Sequence, residues 1–155
     1  MAYRVTGLQS APFAHLFGLD DQALADKGVR RMVAPGDGLY PCRVTLADVP
    51  AGTPVLLLSY QHQPANGPYR AEGPIFVTEG PAETVVATDA VPGMMEKRIL
   101  SVRAYDADDM IVDADVVEGK EADALFRRYL EVPEVAYLHV HLARRGCYAG
   151  RVDRG

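Results

Sequence analysis

The sequence predicts an α+β domain with a largely antiparallel sheet and one main helix near the C-terminal third. Short apolar or alternating runs recur along the chain, bounded by Gly, Pro or Asp. A single stretch, residues 120–131, carries apolar residues at three- and four-residue spacing. Strands and helices do not alternate regularly, which argues against a parallel, doubly wound sheet. At 155 residues the chain has the size of one domain, and 1–155 reads as one globular unit. A chain this long buries roughly 70 % of its unfolded surface, so it needs neither disulfide nor metal to fold.

In order, Tyr3–Thr6 reads as a first strand. Asp20 is placed to cap a short helix over 21–27, and Gly28 suits its stop. Residues 29–33 follow as strand, and Pro35-Gly36-Asp37-Gly38 as a loop. Residues 42–46 alternate, with Cys42, Val44 and Leu46 on one face and Arg43 and Thr45 on the other. Residues 55–62 make the clearest strand: apolar at first like a central strand, then polar at Ser59-Tyr60-Gln61-His62, as if running from core to a cleft edge. Residues 64–74, rich in Pro, Gly and Asn, read as a loop, and 75–78 as strand. Residues 80–93 are weakly defined, with a short strand around Val85. Residues 99–105 and 110–117 form a hairpin around Asp106–Asp109. The helix 120–131 carries Ala122, Leu125, Phe126, Tyr129 and Leu130 on one stripe and ends at Pro133. Residues 135–142 and 147–152 make a last hairpin.

The net charge is −5 and the pI about 5.3, with no concentrated basic face, so neither nucleic acid nor an anionic membrane is an expected partner. Arg144, Arg145, Arg151 and Arg154 gather around one hairpin, where a solvated turn is the plainer reading than a phosphate site. No secretory signal or membrane span is visible, and two cysteines are too few for a disulfide framework. A cytoplasmic protein with reduced thiols is expected.

Chemistry concentrates on residues 135–142. Side chains alternate on a strand, so Leu138, Val140 and Leu142 share one face and Tyr137, His139 and His141 the other. His139 and His141 are the candidate catalytic pair, for acid–base work. A half-exposed sheet face is the ordinary alternative. No metal or cofactor is expected: His62, Glu72 and Cys42 are conceivable donors, but no spacing demands them. The positions that a cupin or a histidine-triad hydrolase would fill with Glu or a third His hold Arg145, Gly146 and Ala143. Arg43 and Arg70, beside Pro41 and Tyr69 in rigid segments, suit bidentate binding of a carboxylate or phosphate, or equally a structural ion pair. With a hairpin loop of two or four residues Cys147 faces away from the histidines; a three- or five-residue loop reverses that. A buried structural thiol is the reading for both cysteines. The acidic turn at Asp106–Asp109 lacks the glycine of a calcium loop, and no phosphate loop or nucleophile elbow is present.

Tyr40-Pro41-Cys42-Arg43, Pro68-Tyr69-Arg70 with Gly73-Pro74-Ile75-Phe76, Arg103-Ala104-Tyr105-Asp106, His139-Val140-His141 and Gly146-Cys147-Tyr148 occur in that order. Together they resemble the bacterial family known as domain of unknown function 1203, over nearly the whole chain. The resemblance implies a bacterial single-domain protein and names no substrate.

Two main functions follow from the residues, with a metal-dependent form of the first as a third option. One is a small-molecule binder or enzyme whose pocket is lined by Arg43, His62, Tyr69, Arg70, His139 and His141, taking a small anionic metabolite. The other is a non-catalytic module that binds a protein or its own copy, a homodimer included, through the same polar strand face.

Overall fold

The computed structural model describes all of residues 1–155. Eleven strands form two sheets. The first holds β7 (Val86–Thr88), β1 (Tyr3–Thr6), β11 (Tyr148–Arg154), β10 (Tyr137–Leu142), β8 (Ile99–Tyr105) and β9 (Ile111–Glu118), in that order and antiparallel throughout. The second holds β2 (Arg30–Val33), β5 (Pro54–Gln63), β6 (Ala71–Thr78), β3 (Pro41–Cys42) and β4 (Ala47–Asp48). Its one parallel contact joins Cys42 to Phe76. The helices are short: α1 (Asp21–Asp26), α2 (Gly93–Glu96) and α3 (Ala122–Leu130), the last entered through a 3-10 turn at Gly119–Glu121. Asp20 caps α1 by accepting from the Ala23 amide at 2.8 Å. The class is therefore α+β, with antiparallel pairing dominant.

The amphipathic stripe does what its spacing requires. Leu125, Phe126, Tyr129 and Leu130 of α3 pack on the face of the first sheet that carries Leu138, Val140, Val102 and Leu100. Each fully buried aliphatic side chain contributes about 1.5–3 kcal/mol, so this register of β10 is strongly selected. A second core lies on the other sheet, where Leu56, Ile75 and Val77 meet Phe13 and Leu24.

Two local expectations are corrected. Residues 42–46 are not an alternating strand. The chain leaves β3 at Cys42 and folds into a turn closed by the Leu46 amide donating to the Cys42 carbonyl, with Leu46 at φ 54°. Cys42, Val44 and Leu46 still bury, but Leu46 joins the first core and the other two the second. The loop expected over 64–74 ends early, because β6 begins at Ala71 and runs through Pro74. Proline is tolerated there because β3, the neighbour on the far side, pairs only at Phe76.

Candidate functional site

The second face of the first sheet is a grid set by strand register. His139 stands between Arg103 of β8 and Arg151 of β11. His141 stands between Ser101 and Tyr148, and Tyr137 beside Tyr105. A bulge on β11 makes the grid chemically dense. Val140 pairs with Gly150 but His141 pairs with Tyr148, so Ala149 is the extra residue. In an unbroken ladder Tyr148 would face the aliphatic core; the bulge turns its ring onto the histidine face. The connection Ala143–Cys147 is five residues long, and Cys147 lies in it, half-buried, with no imidazole partner. Cys42 is fully buried, so the expectation of a buried thiol holds there and is too strong for Cys147.

The polar half of β5 crosses this face and brings in His62. Its ring stacks on Tyr148 at 5.3 Å between centroids and meets His141 at 4.9 Å and His139 at 6.3 Å. Tyr148 lies 5.2 Å from His139 and 5.9 Å from His141, so one phenol ring touches all three imidazoles. Tyr137 is pinned by donating to Asp109 at 2.5 Å and accepting from Gln63 at 2.9 Å.

The face is not open to solvent: His139 is 3 % and His141 2 % exposed. Burial, with the neighbouring imidazoles and arginines, pushes His139 down to about 3. Burial also takes His141 to about 4, partly offset by its bond to Gly146. His62 is lowered by burial and by the Arg103 charge. All three rings are thus neutral at pH 7 and act as hydrogen-bonding groups, not as anion-binding cations.

Three of their nitrogens are buried and have no partner: Nδ1 of His62, Nδ1 of His139 and Nε2 of His141. Unpaired buried polar atoms are rare in folded proteins and call for an explanation. No group of three His, Cys, Asp or Glu side chains is arranged to hold a metal ion.

Of the residues singled out in the sequence, His62, His139 and His141 converge. Arg43 is adjacent but committed elsewhere. It is 2 % exposed and donates through Nε to the Tyr148 carbonyl at 2.7 Å and through Nη1 to the Pro41 carbonyl at 2.5 Å. No carboxylate pairs with it, and burial pushes it down to about 10. It ties the first sheet to the second directly behind Tyr148. Tyr69 is 36 % exposed and reaches only the rim, its ring 6.1 Å from Tyr105. Arg70 is exposed and turns to the Gln61 amide oxygen, so the loop 64–70 adds no cation to the histidines. The C-terminal arginines disperse: Arg151 pairs with Asp153 at 2.8 Å and covers Tyr137, while Arg154 donates to the Leu130 carbonyl.

Sequence reasoning missed Arg103 and Tyr148. Arg103 is half-buried, beside His139, and its side chain makes no ion pair or hydrogen bond within the chain. Its alternation within β8 was legible, but its pairing with a strand some thirty-six residues later was not. Two open clefts lie elsewhere, around Arg30, Leu57 and Ser59 and around Asp21, Val29 and Arg31. Neither contains a histidine. No helix is long and apolar enough to cross a membrane.

No curated protein and no solved structure matches the chain. A family model does, over residues 39–154, a span that includes β3, the crossing half of β5 and every strand of the histidine grid except β1. The chain belongs to that family, described as "Protein of unknown function (DUF1203)".

Proposed function

We propose that this domain binds a small anionic metabolite on the histidine face of the first sheet, with Arg103 holding the charge and His139, His141 and His62 contacting the rest of the molecule. The observation that carries this reading is the convergence of three buried imidazole nitrogens without partners. An unpaired buried group costs about 1–3 kcal/mol, a cost that a bound ligand's polar groups would relieve. Arg103 is the half-buried cation paired across the sheet with His139, and its charge lowers His62 and His141 as well. Burial holds His139 and His141 far below neutral pH, which makes them poor general bases, so binding and not acid–base catalysis is the role proposed. We place the protein in a bacterial cytoplasm, where two free cysteines stay reduced.

The test is a melting-temperature screen of small carboxylates and phosphates at pH 7 on the native chain and on Arg103→Met. A ligand at a hundred times its dissociation constant stabilises the native state by about 2.7 kcal/mol, readily seen as a shift. A saturable shift in the native protein, lost in Arg103→Met while the unliganded midpoint is kept, is expected. Equal shifts in both proteins, or none in either, refute the reading.

A second reading, a self-associating or protein-binding module, draws on the exposed Val112 and Val116 of β9. Addition of a partner strand at that edge is opposed, because the Ala114 and Val116 amides are already taken by the Asp113 and Asp115 carboxylates at 2.8 Å. Light scattering across a concentration series separates the readings: a monomer throughout speaks against self-association.

A further inference from the structure

We infer that the ligand of this face is a hydroxylated anion, whose hydroxyl donates to Nε2 of His141 while its anionic group meets Arg103; this rests on the reading of the face as a ligand site. The argument starts from the tautomer. His141 Nδ1 lies 2.9 Å from the Gly146 carbonyl oxygen. A carbonyl only accepts, so Nδ1 carries the proton. Gly146 is at φ 79°, a conformation a side chain disfavours, and this turn aims its carbonyl at the ring. With one proton on the ring, Nε2 bears a lone pair. That atom is buried and has no donor in the chain.

The missing partner must therefore donate. A carboxylate, or a phosphate group in its fully ionised form, only accepts and would repel the lone pair. Arg103 needs the opposite, an acceptor. Across the sheet, Arg103 lies in the row of His139, one row from Ser101 and His141. Rows on one face are roughly 7 Å apart at the backbone, and the Arg103 charge is near enough to be felt at His141. A small molecule bearing a hydroxyl next to an anionic group spans this pair of demands. A water in that place would meet the histidine's demand alone, and the ligand hydroxyl would replace it.

Matched pairs that differ in one hydroxyl test this by calorimetry at pH 7: glycolate against acetate, and 2-hydroxyethyl phosphate against ethyl phosphate. The two arms separate a carboxylate from a phosphate ligand. Within the arm that binds, the hydroxylated member is expected to be tighter by about tenfold or more, since its partner leaves the buried acceptor unpaired. In His141→Phe the preference between the two members should vanish. Should that variant fail to fold, nitrogen-15 spectra of the native protein carry the test. They should show His141 protonated at Nδ1, with Nε2 responding to the hydroxylated member only. Equal binding within a pair, or a proton on Nε2 in the free protein, overturns the inference and leaves the site standing. Binding that requires added Zn²⁺ also overturns it, by identifying the missing partner as a metal. Failure of every anion to bind overturns the site and the inference together.

Discussion

Two imidazoles buried in the neutral form make the native state sensitive to mild acid. In the unfolded chain each takes up most of a proton between pH 7 and pH 5, around the ordinary value near 6.5. In the folded chain His139, at about 3, and His141, at about 4, take up almost none in that window. The unfolded state therefore binds more protons, and stability falls as pH falls from 7 toward 4. The difference in proton uptake amounts to about 2 kcal/mol per histidine by pH 5, or about 4 kcal/mol for the pair. That is a large fraction of the roughly 5–15 kcal/mol that holds an ordinary domain together. The assay is urea unfolding at pH 7 and pH 5, on the native chain and on His139→Gln/His141→Gln. Glutamine keeps most of the volume, whereas alanine would open two cavities at positions that are 3 % and 2 % exposed. Carboxylates contribute equally to both proteins and cancel. The native chain should lose about 4 kcal/mol more than the double variant, and each single variant should recover about half. A difference below about 1 kcal/mol would falsify the burial on which this reasoning rests.

Other consequences are simpler to check. Arg43→Met should destabilise the chain by about 2–4 kcal/mol in urea, because it leaves the Tyr148 and Pro41 carbonyls without their donor; an unchanged midpoint would show the tie between the sheets to be idle. Tyr137→Phe removes a hydroxyl shared between Asp109 and Gln63 and should cost about 1–2 kcal/mol by the same measurement. Gly7→Ala should lower the melting temperature strongly, since a Cβ there would meet the Val44 carbonyl oxygen at 2.3 Å, a backbone atom that cannot swing aside. A thiol reagent on the native protein should modify half-buried Cys147 and spare Cys42 until urea is added; rapid reaction of both would contradict the burial of Cys42.

Local pattern is enough to place most of the elements and to separate the two faces of β10. The period-two alternation of Leu138-His139-Val140-His141 and the helical stripe of Leu125, Phe126, Tyr129 and Leu130 each depend on neighbours within a few residues, and burial free energy enforces both. The same locality explains the failures. Pro74 reads as loop until the partial pairing of β3 is known, and Cys42-Val44-Leu46 looks like a strand because a turn that feeds two cores buries the same positions. The site depends on long-range pairing. That β8 lies beside β10 sets Arg103 next to His139, and that β5 crosses the sheet brings His62 to His141. The bulge at Ala149 then turns Tyr148 into their midst. Alternation says which face a side chain takes but not which strand lies beside it or covers it. Those choices come from closing two cores at once, and they convert an apparently half-exposed histidine pair into a buried, neutral cluster.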